Sequence, residues 1–320
     1  GNIANIRCNV CGNMLSRTRQ NVCESKLKKT MCYHCYPPLV GTSNAEKELA
    51  NFIKKHSSIE INNRNILGSK EIDIFVPEKN IGFEYNGLYW HSDVYKDKTY
   101  HLEKRIAAAE KNINLIHIFE DEWVEKKEIV KSRILSLLGK TPNKIHARKC
   151  DIKEIDSRTA NLFLNANHIQ GSGRSNVRLG LYYDEKLVSV MSFLKNDISK
   201  NITGWELNRF CSLLNTQISG GANKLFRYFI KKYDPEEITS FCDLRWAKVN
   251  TVYASLGFEH CHDTPPNYWY FMRNEVKRYH RYTLRKTEKS TLTERELREK
   301  QGYLRIYDCG SSKWIWKKAG

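Results

Sequence analysis

The stretch "EIDIFVPEKNIGFEYNGLYWH", residues 71–91, contains two runs of β-forming residues joined by "PEKN". A turn at "PEKN" predicts an antiparallel hairpin in which Val76 pairs with Ile81, and the same register places Asp73 opposite Glu84. Like charges opposite each other destabilise a sheet. A divalent cation between the two carboxylates removes the conflict, and Mg²⁺ prefers such oxygen ligands. We therefore predict a Mg²⁺ site at Asp73 and Glu84, with a solvent-exposed acidic face as the alternative.

Helical patterns flank this hairpin. Before it, "SNAEKELANFIKK" opens with Ser and has apolar residues at helical spacing, with Glu46 in the first turn. A helix-capping role is the alternative for Glu46. After it, "HLEKRIAAAEKNINLIHIFEDEW" predicts a helix followed by a strand, in which Lys104 and Arg105 are candidate phosphate contacts or members of an exposed helix face.

A helix Glu, a hairpin Asp and a second acid about ten residues later resemble the PD-(D/E)xK nuclease pattern, although Asn86 stands where that pattern usually has Lys. The segment "NGLYWH", which ends at His91, is similar to the very-short-patch repair branch of that superfamily. Glu84 restores a metal-binding acid that the repair enzymes lack. The resemblance implies a catalytic set of Glu46, Asp73, Glu84, Asn86, His91 and Asp93.

The resemblance also implies roles for these residues. Asp73 and Glu84 would bind Mg²⁺, and Glu46 would hold a metal-bound water. His91, with Asp93 as its candidate partner, would act as base or acid. A structural role beside Trp90 is the alternative for His91.

Two C-x2-C pairs lie near the start of the sequence, "CNVC" and "CYHC". Each pair offers two thiolates to one tetrahedral ion, so we predict a structural Zn²⁺ ribbon over residues 1–40. Reduced cysteines without a metal are the alternative. The predicted zinc ligands are Cys8, Cys11, Cys32 and Cys35.

The charge of the chain is strongly basic. Lys and Arg number 53 against 36 Asp and Glu, a formal net charge of +17, which favours a nucleic-acid partner. No stretch approaches about 18 consecutive apolar residues, and the start of the chain lacks the apolar core of a signal peptide. We therefore expect a cytoplasmic protein with no membrane partner.

Residues 145–273 have the pattern of a separate α/β unit. "RLGLYYDEKLVSVMSF" predicts a hairpin, "WELNRFCSL" a strand and "ANKLFRYFIKKY" a helix. Between the last two, "QISGGA" resembles the phosphate loop of GNAT acyltransferases, and "NTVYASLGF" is similar to the closing helix and strand of that fold. Three interpretations stay open: a GNAT-like scaffold converted to DNA recognition, a working acyltransferase, and a packing domain.

Residues 274–320 are expected to form a basic arm with a short helix and a hairpin whose turn is "CGSS". A solvated run of charges is the alternative. Either form leaves the arm outside the preceding unit.

We thus predict a multidomain α/β (α+β) protein: zinc ribbon 1–40, nuclease core with a mixed sheet 41–140, GNAT-like domain 145–273 and basic arm 274–320. The combination resembles freestanding homing endonucleases of bacteriophages, which implies a monomeric endonuclease acting on double-stranded DNA in the host bacterial cytoplasm. The alternatives are an acyltransferase with a degenerate nuclease domain and a DNA-binding regulator. The predicted DNA contacts are Lys104, Arg105, Arg174, Arg178, Arg209, Lys224 and Arg245.

Overall fold

The structure is a computed structural model that contains both helices and strands, as predicted for an α/β protein, and the strands form several sheets. The described residues are 3–8, 12–18, 44–68, 70–195, 204–247, 252–287, 289 and 291–318. Within them, no helix has the length and apolar character needed to cross a membrane. The chain divides into two compact units, residues 1–48 and residues 49–320.

The first unit contains a two-stranded hairpin. Strands β1 (Ile3–Arg7) and β2 (Met14–Thr18) pair antiparallel, and Cys8 lies in the turn between them. The Cys8 amide donates to the carbonyl of Asn13 at 2.8 Å, which closes the turn. Of the predicted zinc ligands, Cys11, Cys32 and Cys35 lie outside the described residues.

A four-stranded mixed sheet occupies the start of the second unit, with strand order β3-β4-β5-β6. The predicted hairpin is confirmed: Val76 pairs with Ile81, and residues 77–79 form a 3-10 turn that ends at Asn80 with φ 49°. β5 and β6 run parallel and are joined by the predicted helix. The elements are α1 (Asn44–Lys54), β3 (Glu60–Leu67), β4 (Lys70–Val76), β5 (Ile81–Asn86), α2 (Tyr100–Glu110), β6 (Asn114–Phe119), α3 (Glu120–Glu125) and α4 (Lys127–Leu138).

A seven-stranded sheet follows, with strand order β14-β18-β13-β11-β10-β9-β8. The predicted hairpin between β9 and β10 turns at Asp184 and Glu185, both with positive φ. A short β7–β12 pair lies beside this sheet. Its elements are β7 (Asn143–His146), β8 (Asp151–Glu154), α5 (Ser157–Asn167), β9 (Val177–Tyr183), β10 (Lys186–Lys195), β11 (Trp205–Ser212), β12 (Thr216–Ser219), α6 (Gly221–Tyr233), β13 (Glu237–Asp243), α7 (Val252–Ser255), β14 (Glu259–Asp263) and β18 (Ser311–Lys317).

A three-stranded sheet has the order β16-β15-β17. In sequence, its strands lie between β14 and β18 of the seven-stranded sheet. The three-stranded sheet packs on the end of the four-stranded sheet, where Leu88 and Phe119 form a buried cluster with Phe271 and Ile306. Its elements are β15 (Tyr268–Met272), β16 (Tyr279–His280), α8 (Glu294–Lys300) and β17 (Tyr303–Tyr307).

These sheets correct the prediction for residues 274–320. The short helix is present as α8, but β17 and β18 pair in different sheets and so do not form a hairpin. β18 lies between β13 and β14 in the seven-stranded sheet, where it satisfies the backbone groups of both strands. Residues 49–320 therefore form one compact unit, and the boundaries expected near residues 140 and 273 do not separate it.

Candidate active site

Asp73 and Glu84 lie on neighbouring strands with their backbones and side chains in contact. The Asp73 amide faces Glu84 Oε1 at 3.4 Å, and the Tyr85 amide donates to Asp73 Oδ2 at 2.8 Å. β5 is an interior strand and all six of its residues are buried; Glu84 is 1% exposed. The alternative of a solvent-exposed acidic face is therefore wrong for Glu84.

Lys104 of α2 provides the counter-charge that this buried acid needs. Its Nζ forms an ion pair with Glu84 Oε2, and both side chains are at most 5% exposed. The prediction of a phosphate contact at Lys104 and its alternative, an exposed helix face, are both wrong, because the side chain is buried and pairs with Glu84.

One lysine faces two carboxyl groups, so the set lacks one positive charge. Burial and the nearby Asp73 raise the pKa of Glu84 to about 8, although Lys104 opposes that rise. Burial likewise raises the pKa of Asp73. Burial disfavours the charge on Lys104, but the two acids outweigh it and raise the pKa of the amine. A bound cation would complete the charge balance.

The donor set fits a Mg²⁺ ion. Mg²⁺ is usually held by one or two protein carboxylates, with waters and substrate phosphates completing its coordination. Asp73 and Glu84 supply two such oxygen donors at adjacent positions. In the described parts of the chain, no three His, Cys, Asp or Glu side chains are already grouped as a metal site. The two carboxyl groups are thus the residues that would hold the ion.

His117 on β6 is the register partner of Glu84 on β5, and its ring belongs to a group of three histidine rings. His91 Nδ1 is 3.0 Å from His101 Nε2, and the two rings stack at an interplanar angle of 17°. The centre of the His117 ring lies 5.3 Å from that of the His101 ring, and His117 Nδ1 is 3.2 Å from the side-chain nitrogen Nδ2 of Asn86. Burial lowers the pKa of all three rings, that of His101 to about 3. All three are therefore neutral at pH 7.

The tautomer of His91 determines which of its ring nitrogens is the base. His101 Nδ1 has no hydrogen-bond partner within the described structure, and the His91–His101 contact is the one hydrogen bond between these two rings. In the form in which His91 donates from Nδ1, His101 Nε2 accepts that proton. This arrangement leaves the lone pair of His91 on Nε2.

Asp93 has a different partner from the one expected. Arg305 donates to Asp93 Oδ2 from Nε at 3.0 Å and from Nη2 at 2.9 Å, and the Asp93 amide donates to the Arg305 carbonyl at 2.8 Å. His91 instead contacts His101. The prediction of an Asp93–His91 pair is therefore wrong: Asp93 fastens the segment around His91 to β17.

A separate network of buried ion pairs contains Arg245 and Arg278. Arg245 is 3% exposed and donates to Glu122 at 2.9 Å and to Asp243 at 2.7 Å, while Arg278 donates to Asp121 and Glu122. Burial opposes the charge of Glu122, but Arg245 and Arg278 lower its pKa to about 2. The prediction of a DNA contact at Arg245 is therefore wrong, because its guanidinium is enclosed by acids.

The other predicted DNA contacts differ in whether their cationic groups are already bonded within the protein. Lys224 Nζ donates to the carbonyls of Ala147 and Cys150, and Arg209 Nε donates to the carbonyl of Gly171 at 3.1 Å. Arg105 is partly buried on α2. The two that line an open cavity are Arg174 and Arg178.

Sequence reasoning missed the roles of His101 and Lys104, although a signal was present. Both are buried on the face of α2 that also buries Ala108, at the spacing i, i+3 and i+7. Polar residues on an apolar helix face need buried partners. Glu46 lies in the first turn of α1, as expected, and its catalytic role stays a prediction.

Comparison with known proteins adds no relative to this picture. No protein-family model matches the sequence, and no curated protein matches it. The interpretation of the site rests on its geometry and chemistry.

Proposed function

We propose that this protein is a metal-dependent endonuclease that hydrolyses phosphodiester bonds of double-stranded DNA. The observation that supports this most directly is the buried Glu84–Lys104 ion pair beside Asp73, together with two neutral histidines in hydrogen-bond contact with each other. A set with a missing positive charge suits a cation, and a neutral imidazole suits proton transfer.

Each group of the site has a defined task in this reaction. When bound at Asp73 and Glu84, Mg²⁺ supplies Lewis-acid activation of water and neutralises charge at the phosphate. Water adds to phosphorus while one P–O bond breaks, and the proton of the water passes to Nε2 of His91. The oxygen that leaves takes up a proton from solvent. His101 holds His91 in the accepting tautomer, and Lys104 holds the carboxylate of Glu84 in place.

We further propose that the seven-stranded sheet is a GNAT-like scaffold that serves DNA binding. Its order, with one parallel pair β11–β13 and with β18 inserted between β13 and β14, supports the resemblance noted in the sequence. β11 and β13 pair at only two positions, and the strands diverge beyond Glu206. A gap of this kind is where an extended ligand would enter the sheet.

Arg133 on the neighbouring helix α4 carries a charge near both strands. Burial raises the pKa of Cys211 on β11 to about 12 and that of Cys242 on β13 to about 11, and Arg133 lowers both, so its charge lies near both strands. The guanidinium of Arg133 stacks over Trp246 at 4.5 Å.

Residues 147 and 150 contact the start of α6, where "QISGGA" lies. Ala147 is 3.7 Å from the position a Cβ would take at Gly220, and Lys224 binds the backbone of residues 147 and 150. A segment that packs over the loop competes with a pyrophosphate for its amides. This contact favours the scaffold interpretation.

The test is cleavage of supercoiled plasmid with Mg²⁺ or with EDTA. We expect Mg²⁺-dependent nicking or linearisation that Asp73→Asn and Glu84→Gln each abolish, while the thermal unfolding of both variants stays cooperative. Glu78→Gln, an exposed acid in the turn of the same hairpin, is the matched control and should cut like wild type.

Two results would contradict the proposal. Cleavage that survives in Asp73→Asn and Glu84→Gln would place the chemistry elsewhere. Acetyl-CoA binding by calorimetry, together with no cleavage of any DNA, would establish the acyltransferase instead.

A further inference from the structure

An open cavity of about 910 Å³ lies on the seven-stranded sheet, between α5, the loop of residues 172–176 and the ends of β9 and β10. Among the described residues, its lining contains three cations, Arg174, Arg178 and Lys195, and no acidic residue. Serine and asparagine side chains supply most of the rest, and Leu194 is the one large apolar contributor. A concave surface with this composition suits a ligand that carries several negative charges.

The loop at the mouth of the cavity is held in one shape by hydrogen bonds. The Ser172 amide donates to Asn165 Oδ1 at 2.8 Å, and Asn208 Nδ2 donates to the Arg174 carbonyl at 2.6 Å. Gly173 allows this approach, because a Cβ there would lie 2.9 Å from Asn208 Oδ1. The site is therefore preorganised, which reduces the entropy lost on binding.

The three cations have no acidic partner among the described residues. Arg174 is exposed. Arg178 donates from Nη2 to the Ser175 carbonyl, while its buried Nε has no hydrogen-bond partner within the described structure. Lys195 lies over the ring of Trp205 at 5.9 Å. Their positive charge is thus available to a ligand.

We propose that this cavity is a binding site for consecutive phosphates of a DNA strand, separate from the acid centre. The inference rests on the proposal that the substrate is DNA. A volume of about 910 Å³ exceeds that of one phosphate. The Arg, Lys, Ser and Asn side chains of the lining are suited to donate to phosphate oxygens, and such contacts do not read the base sequence. The net charge of +17 favours a polyanion over a small anion.

The sheet that carries the cavity is hydrogen-bonded to the nuclease core, and in our proposal one DNA molecule therefore binds at both places. Lys126 Nζ donates to the Ile169 carbonyl at 2.6 Å, and the Asn215 amide donates to Ser132 Oγ at 2.8 Å. These contacts join Lys126 and Ser132, just before α4 and within it, to the segments that follow α5 and β11. The cavity therefore extends the DNA contact beyond the cut phosphate.

The test measures DNA affinity without cleavage. Fluorescence anisotropy of a labelled 30-base-pair duplex is recorded in EDTA between 50 and 200 mM KCl for the wild type and for Arg174→Ala/Lys195→Ala. Each lost phosphate contact lowers the slope of log K against log salt by about 0.9. The double variant should lose about 1.8, so the wild type should weaken roughly 12-fold more than the variant over this range.

Two further proteins separate a site from general charge. Lys144→Ala/Lys186→Ala removes the same charge from exposed positions outside the cavity and should keep the wild-type slope. Gly173→Ala leaves the charge unchanged but displaces the loop, and it should weaken binding at every salt concentration.

Equal losses of slope in the two double variants would overturn the proposal, because binding would then be diffuse. Micromolar binding of coenzyme A that Arg174→Ala/Lys195→Ala abolishes would also overturn it, since the cavity would be a cofactor site. The readout does not depend on catalysis. Failure to cut DNA would therefore contradict the proposed nuclease and leave the measured DNA affinity intact.

Discussion

Replacement of Lys104 by Met isolates the electrostatic role of the only cation that pairs with Glu84 in the described structure. Methionine keeps the apolar stem of the side chain but removes the ammonium. The side chains of Lys104 and Glu84 are 5% and 2% exposed, so the small values of surface ion pairs do not apply. Loss of one partner from a buried pair costs roughly 3–5 kcal/mol. Because Glu84 escapes part of the cost by binding a proton, we expect about 3 kcal/mol.

A double-mutant cycle tests this magnitude. Glu84→Gln/Lys104→Met removes both charges, and its stability should lie within about 1 kcal/mol of wild type. The assay is urea unfolding in EDTA at pH 7, followed by circular dichroism. Lys131→Met is the matched control, because Lys131 is 25% exposed and its partner Glu128 is 69% exposed; loss of this solvent-screened pair should cost less than about 0.5 kcal/mol.

Two outcomes would refute the reasoning. If Lys104→Met costs no more than Lys131→Met, the ion pair with Glu84 is not buried in the folded protein. If the double variant is as unstable as Lys104→Met alone, the loss comes from packing and not from an uncompensated carboxyl group.

Two other predictions concern the neighbouring groups. We expect His101→Leu to slow DNA cleavage roughly 10- to 100-fold and to move the N–H of His91 to Nε2, because the acceptor that selects the tautomer is lost. His101→Gln should restore part of the cleavage rate and part of the original tautomer. Single-turnover cleavage and ¹⁵N NMR of the histidine rings measure these effects, and unchanged His91 nitrogen shifts in His101→Leu would contradict the prediction. Glu122 has a folded pKa of about 2 against 4.5 for the free side chain, so its contribution to stability is present above pH 4.5 and is lost as the pH falls toward 2. The free energy of unfolding should fall by on the order of 3 kcal/mol over that window. Urea unfolding from pH 6 to pH 3 should therefore show a weaker pH dependence of stability in Glu122→Gln than in wild type. An equal pH dependence in the two proteins would show that Glu122 is not ionised in the fold.

The acid pair could be predicted from sequence because it depends on local geometry. "PEKN" closes a tight turn, and the period of two along β-strands then determines that Asp73 faces Glu84. The helix and strand after the hairpin, and the β9–β10 hairpin, follow from short-range patterns in the same way. Burial of Glu84 could not be predicted, because it depends on β6 pairing at the other edge of β5.

The partners of the site residues were decided by tertiary structure. Lys104 reaches Glu84 across 20 residues of chain, and Arg305 reaches Asp93 across 212. Asp93 beside His91 in sequence suggested a pair, yet a guanidinium offers two N–H groups to the carboxylate and so competes successfully for it.

The sequence by itself determined local elements: the hairpin with its opposed acids, the flanking helices and the strands β9, β10 and β11. Tertiary structure alone decided that β18 lies between β13 and β14, that Arg245 is buried by acids and that His101 contacts His91. The physical reason is the range of the interactions. Turn geometry and side-chain alternation act over a few residues, whereas strand order and the burial of charge depend on which distant segments pack together.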